Sequence, residues 1–425
     1  MRKAKRRLII TAVILTPLAV IVCLWLFYDC PPPDDADLRI EYEDIPEDEN
    51  GFTYLAHAAE ALEWPADILG DTVDTVRLLN EGRLDTENMK EVIDANEAVF
   101  DLVRQALACP RLQVPEVEDY STGFDYLRPM RQVGLLGRIR AELLFRQSQD
   151  REAFEQAMCV VRLGHRIEGG RGVFIHYLAG LAVKSNGLRQ MRSMVATTTL
   201  EADQLRRYAR GLCELGACES GLADAYRVEY RCCADAVDDV TNGTGFFSLL
   251  LRARLLLRFM PLKPNKTKCL LVRSFQALVQ ASTRPCIEVR SLPLDRPRYG
   301  TVFWAKAFLS GNGKGIVLYY DLMPMVTRSL EVKYRENCHV AATQILIALR
   351  CYQLEHGDVA ETLDELVPEY LDSVPLDDFD GKPMKYSKEK KVVYAVGKDL
   401  TDNGGIEGRE GFDDDGYDLI YKMEF

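Results

Sequence analysis

Between about residue 52 and residue 308, apolar residues recur at steps of three and four, which predicts helices rather than strands. "DTENMKEVIDANEAVFDLVRQALACP" opens on a capping aspartate and acids and predicts one helix ending at Pro110. "YLRPMRQVGLLGRIRAELLFRQSQD" and "DREAFEQAMCVVRLGHRIEGG" follow as antiparallel neighbours, the second closed by glycines. "VFIHYLAGLAVKSNGLRQMRSMVA" and "LEADQLRRYARGLCELGA" continue the series. Long helices joined by short polar turns predict an all-α bundle or superhelical array, and no fixed repeat period is present. In "FFSLLLRARLLLRFMPLKPNKTK", Arg252 and Arg254 would lie about 200° apart on a helix, so a core helix with snorkelling arginines is favoured over a membrane-surface helix.

Past residue 308 the pattern changes. "SGNGKGIV" lacks the spacing of a phosphate loop and reads as a turn that starts the next helix. "EVKYRENCHVAATQILIALRCYQLEHGD" places Cys338, Ala341, Ile345, Ala348 and Tyr352 on one stripe, and Gly357 ends the helix. "TLDELVPEYL" predicts a short helix stopped at or soon after Pro368. "KPMKYSKEKKVVYAVG" alternates around a charged turn as a hairpin does, and "YDLIYKMEF" supplies a third strand after a glycine-rich loop.

The opposite end carries a different signal. "MRKAKRR" precedes 21 uncharged residues, Leu8 to Tyr28. About 20 apolar residues cross a bilayer, and a basic flank stays in the cytoplasm. No small-residue cleavage site follows, so an uncleaved single-pass anchor is expected, with the bulk of the chain extracytoplasmic. The layout becomes a cytoplasmic tip and anchor over 1–29, an acidic proline-rich spacer over 30–50, a helical domain over 51–308, and a long helix with an α+β unit over 309–425. The charged, proline-rich spacer is expected to stand off the membrane.

Charge sharpens this picture. The net charge of −12 hides an acidic end, with 18 acids against 8 bases over 361–425, and a basic stretch, with 11 bases against 2 acids over 245–300. That total does not favour nucleic-acid binding. Twelve cysteines suit an oxidising compartment, although no C-x-x-C occurs. Cys232 and Cys233 are adjacent, and Cys213 and Cys218 sit five apart in an expected helix, both poor spacings for a bond. The five histidines (His57, His165, His176, His339, His356) are scattered, and no H-E-x-x-H, G-x-S-x-G or Walker motif is present. A Cys338–His339 dyad is disfavoured because adjacent helical residues diverge by about 100°.

The densest chemistry lies at the end, where six aspartates occur in the last thirty residues: Asp399, Asp402, Asp413, Asp414, Asp415 and Asp418. A glycine-rich loop crowded with like charges is a poor place for a general acid. A calcium loop and a solvated acidic loop remain open, since glycines let carbonyls join carboxylates around a hard cation. No EF-hand spacing is present.

The order of "ALRCYQLEHG", "TLDELVPEYLDSVPLDDFDGKPMKY" and "VVYAVGKD…NGG…DDDGYDLI" resembles the C-terminal domain of the type II secretion major pseudopilins, over about 90 residues from Lys333. The resemblance implies a small antiparallel sheet on a helix and calcium in the closing loop. Asp399 matches the aspartate of that family's G-x-D step and Asp415 and Asp418 its closing acids, with Asp402, Asp413 and Asp414 as further ligands. "DVA" at 358–360 and "DDFDG" depart from the family's Y-P and D-P-W-G, and the prepilin cleavage motif is absent. The whole layout also resembles membrane-anchored bacterial envelope proteins of uncharacterised activity.

The expected fold is therefore mainly α: an N-terminal transmembrane helix, a helical bundle or array, then a small pseudopilin-like α+β domain. The expected role is structural or binding, in the bacterial inner membrane and secretion-related. Its partners would be the bilayer through residues 8–28 and other envelope proteins, with no nucleic acid. The alternative is an extracytoplasmic hydrolase assembled from distant residues, for which a cleft gathering His165 or His176 with carboxylates would be the mark.

Overall fold

The computed structural model describes residues 28–117, 123–253, 257, 260–289, 301–323, 329–406 and 417–425, with isolated positions between 13 and 24. The expected span over 8–28 thus lies mostly outside the described residues. Among the described residues no helix is long and apolar enough to cross a membrane. The chain is mainly helical and carries one small antiparallel sheet.

Helix α1 (Gly51–Glu60) starts under Asn50, whose side chain accepts from Phe52 N–H, and α2 spans Thr72–Asn80. The single helix expected over 85–110 is two, α3 (Thr86–Ala95) and α4 (Glu97–Ala108). Asn96 separates them: its buried amide donates to the Glu63 and Val92 carbonyls and accepts from Glu63 N–H, contacts that periodicity does not reveal. Helices α5 (Leu127–Arg146), α6 (Asp150–Glu168) and α7 (Phe174–Val195) follow where the apolar steps place them. Then come α8 (Ala202–Leu212) and α9 (Glu219–Asn242). Cys213 and Cys218 therefore flank a turn rather than share a helix. The remaining long helices are α10 (Gly245–Ala253), α11 (Pro264–Ala281), α12 (Thr301–Leu309), α13 (Gly313–Leu322) and α14 (Ser329–His356).

One apolar core joins α1–α5 to one side of α6 and α7, with Leu136, Ile139 and Val183 at its centre. A larger one gathers the other side of α6 and α7 with α8, α9, α11, α13, α14 and the sheet. Helix α14 buries Cys338, Ile345 and Ala348 from the expected stripe, and also Ala342, Leu346, Ile347 and Leu349. It is covered on several sides because α7, α8 and the sheet all pack on it. In place of the short helix expected before Pro368 stands one 3-10 turn, Leu363–Leu366, closed by a Thr362–Glu365 capping box. Strands β1 (Lys385–Ser387), β2 (Val392–Ala395) and β3 (Leu419–Lys422) form the sheet in that order. The register pairs Tyr386 with Val393 and Val393 with Tyr421.

The acidic stretch over 30–50 is not a free spacer. Leu38 is buried in the larger core, Tyr230 donates to Asp35, Gln276 donates to Asp37, and Arg171 pairs with Glu43 at 3.0 Å. Basic and hydrogen-bonding partners on the body neutralise the repulsion that would otherwise extend it. The residue just before it is held as well. The Asp29 carboxylate accepts from the N–H groups of Asn265 and Lys266 in the first turn of α11, at 2.8 and 3.0 Å. Asn312 accepts from Lys263 N–H at 2.7 Å. The orphan donors of α11 are thus capped by side chains remote in sequence.

Candidate functional site

Helices α6 and α7 approach closely because glycines line their crossing. A Cβ on Gly164 would sit 2.3 Å from the Lys184 nitrogen, and one on Gly180 would sit 2.7 Å from the Glu168 nitrogen. This proximity sets Lys184 and Glu168 side by side, both without solvent exposure in their side chains, at 2.7 Å. The Lys184 ammonium also donates to the Leu215 and Gly216 carbonyls, at 3.2 and 2.8 Å, while Glu168 accepts from Cys218 N–H at 3.0 Å. The buried pair therefore holds the turn between α8 and α9 in place. His165, one turn before Glu168, donates from Nδ1 to the same Gly216 carbonyl. Burial, then the nearby Lys184 charge, lowers its pKa to about 4, so the ring is neutral at pH 7.

From the other side α14 reaches the same turn. Asn337 accepts from Ala217 N–H at 2.6 Å and donates to the Asp378 carboxylate at 2.7 Å. Lys333, almost fully buried, meets Asp378 at 2.8 Å. Asp377 accepts from the N–H groups of Phe379 and Val396, fastening its loop to β2. Between the 213–216 turn, α14 and the 372–378 loop lies a cleft of about 260 Å³. Asn337, Gln344, Asp372, Ser373 and Asp378 give it polar groups, and Val340 and Leu376 apolar ones.

One helical position before Asn337, Glu336 is buried, and its Oε1 has no hydrogen-bond partner among the described residues. Desolvation raises its pKa to about 7; Lys184 and Arg192 oppose the rise and Glu168 adds to it. The Tyr177 hydroxyl, also buried and without a partner among the described residues, feels the Glu168 and Glu336 charges. A carboxyl group poised near neutrality beside a fixed ion pair can hold or release a proton. Glu168 itself is raised by burial, against the pull of Lys184.

The remaining histidines stand apart. His176 is buried among Phe124 and Tyr126, hydrogen-bonds the Tyr126 hydroxyl, and is lowered to about 4 by desolvation. His339 bonds the Tyr421 hydroxyl at 2.8 Å, linking α14 to β3, while Cys338 donates to Asp377. The two therefore make no dyad.

The aspartates singled out from the sequence are arranged differently. Asp413, Asp414 and Asp415 lie outside the described residues. Asp418, nearly buried, accepts from Asn403 N–H at 3.2 Å and Gly405 N–H at 2.7 Å. Asp402 accepts from Gly404 N–H at 2.8 Å and from the Tyr394 hydroxyl. Asp399 serves Thr401 N–H. Asp402 and Asp418 share the 402–405 turn, whose glycines adopt φ near +70°. The donor set suits calcium in kind. Among the described residues no three acidic, histidine or cysteine side chains are placed to hold a metal.

Sequence reasoning missed Glu168, Lys184, Glu336, Asn337 and Asp378. The available signal was Lys184 within "LAGLAVKSNGL", a lone charge between glycines in an otherwise apolar run. No protein-family profile, curated protein or solved structure matches this chain.

Proposed function

We propose that this chain is a membrane-anchored protein of the bacterial envelope whose extracytoplasmic body binds a small amine- or cation-bearing ligand. Residues 8–28 hold it in the cytoplasmic membrane, with the basic tip inside. The binding role rests on the cleft beside α14, in which Asp372 and Asp378 are the only charged side chains among the described lining residues. An incoming ammonium would meet exposed Asp372 and share Asp378 with Asn337 and Lys333. The anchor is supported by Val13, Val20, Ile21 and Leu24, which the body leaves 52–66% exposed.

Thermal melting of the full chain in detergent, with putrescine against sodium of equal ionic strength, tests the cleft. A saturable upward shift that disappears in Asp372→Asn and Asp378→Asn is expected. Equal shifts in sodium, or none at millimolar amine, overturn the binding role.

The closing loop extends the proposal: calcium bound through Asp399, Asp402, Asp414, Asp415 and Asp418 steadies it. The meeting of Asp402 and Asp418 on one turn supports this. Calcium should raise the melting temperature above that in chelator. The pseudopilin-like character of this unit, and secretion-related envelope partners, follow from the sequence resemblance.

The gathering of His165 and Glu336 around the Glu168–Lys184 pair, which holds the turn whose Gly216 lines the cleft, favours one second reading, an extracytoplasmic hydrolase with Glu336 as general acid. Turnover of chromogenic ester or peptide substrates that Glu336→Gln abolishes without lowering the melting temperature would favour it over simple binding.

A further inference from the structure

The segment just beyond the expected span is delivered to one point on the body. Asp29 caps the first turn of α11 through Asn265 and Lys266 N–H, and the Asn265 amide donates to the Cys30 carbonyl at 2.8 Å. Cys30 N–H is itself tied to the Asp29 carboxylate at 2.8 Å. With the backbone fixed at both places, the Cys30 side chain turns onto α11. There its Sγ stands 3.7 Å from Sγ of Cys269. Cys269 lies four residues after Asn265, on the same face of the helix. Both thiols are partly buried, close to one another and still within reach of a small oxidant.

We propose that Cys30 and Cys269 are a disulfide-forming pair that staples the membrane-proximal segment to α11. The bond closes a separation of 239 residues along the chain. It requires a disulfide oxidant such as oxidised glutathione. The thiolate of one cysteine attacks a sulfur of the oxidant, forms a mixed disulfide and releases a glutathione thiolate, which takes up a proton. The second cysteine's thiolate attacks the protein sulfur of that mixed disulfide and expels the other glutathione thiolate. Two electrons and two protons pass from the cysteine pair to the oxidant, leaving one protein disulfide and two glutathione thiols. The pairing goes beyond the binding role and is independent of the cleft.

The test uses the full chain in detergent, purified without reductant, treated with oxidised glutathione, alkylated with iodoacetamide and digested unreduced. Mass spectrometry should find a peptide pair joining Cys30 to Cys269 that separates on reduction. Alkylation of both cysteines after oxidation, or a bond from either one to a different cysteine, overturns the proposal. This mapping needs no variant, so a folding defect does not obscure it. Cys269→Ser should then leave Cys30 as the glutathione adduct, and an unmodified Cys30 would count against its accessibility. Asp29→Asn should slow cross-linking several-fold. An unchanged rate would remove Asp29 as the positioning residue.

Discussion

Two sets of carboxylates in this molecule behave in opposite ways. Glu168, Glu336 and Asp378 are far apart in sequence, yet the fold sets Glu168 and Glu336 in each other's field and places Asp378 on the cleft beside the same turn that Glu168 holds. Asp399, Asp402 and Asp418 belong to the densest acidic stretch of the chain, yet each described member is spent on nearby backbone N–H groups. Clustering in sequence mostly created turn chemistry here, while clustering in space came from glycine-lined helix crossings. A carboxylate stabilised by backbone donors shapes a loop. One buried beside a lysine, or with an oxygen left unpartnered among the described residues, becomes a titratable element of the core.

Substitutions can break this contrast. The largest effect is expected for Lys184→Met, which strands Glu168 in the interior and should cost about 3–5 kcal/mol by chemical denaturation. The double replacement with Glu168→Leu should recover much of it, and a single-variant loss below ~1 kcal/mol would deny the pair its structural role. Glu336→Gln comes next, with its sign set by linkage. The folded pKa lies near 7 against 4.5 for the ordinary side chain, so the wild type loses stability as pH rises from about 4.5 to 7. The variant should therefore be more stable than wild type by about 3 kcal/mol at pH 8 and nearly equal at pH 4. Taking the difference between the two proteins cancels the histidine titrations, and a flat difference would place Glu336 in a wetter site than its burial implies. Asp418→Ala removes the acceptor of two backbone donors and should cost about 1–3 kcal/mol, with faster amide exchange at Asn403 and Gly405. Asp399→Ala should change stability least, by less than ~1 kcal/mol, since it leaves a single turn donor to solvent. A larger loss than for Asp418→Ala would reverse the comparison within the loop itself.

Much of the scaffold was legible in the sequence because period is a local property. The steps of three and four placed α5, α6 and α7, and alternation placed β1 and β2 with β3 after the loop. The features that escaped were set by partners distant in sequence. Asn96 breaks a helix because Glu63 bonds its side chain. The 30–50 segment lies on the body because Arg171, Tyr230 and Gln276 meet it there. The cleft escaped for the same reason, since its walls come from α14, the turn after α8 and the loop before β1. No local pattern records that three such segments converge. Among the metal-site residues read from the sequence, Asp402 and Asp418 do come together, because strand β3 returns beside the glycine turn.

The capping of α11 by Asp29 has a mechanical consequence. A tether that ended in free chain would let the body swivel and would absorb any pull in slack. Here tension applied through the segment before residue 29 would load the first turn of a core helix at once. The body would keep one heading relative to residue 29. The residues that set this heading are two backbone amides and one carboxylate.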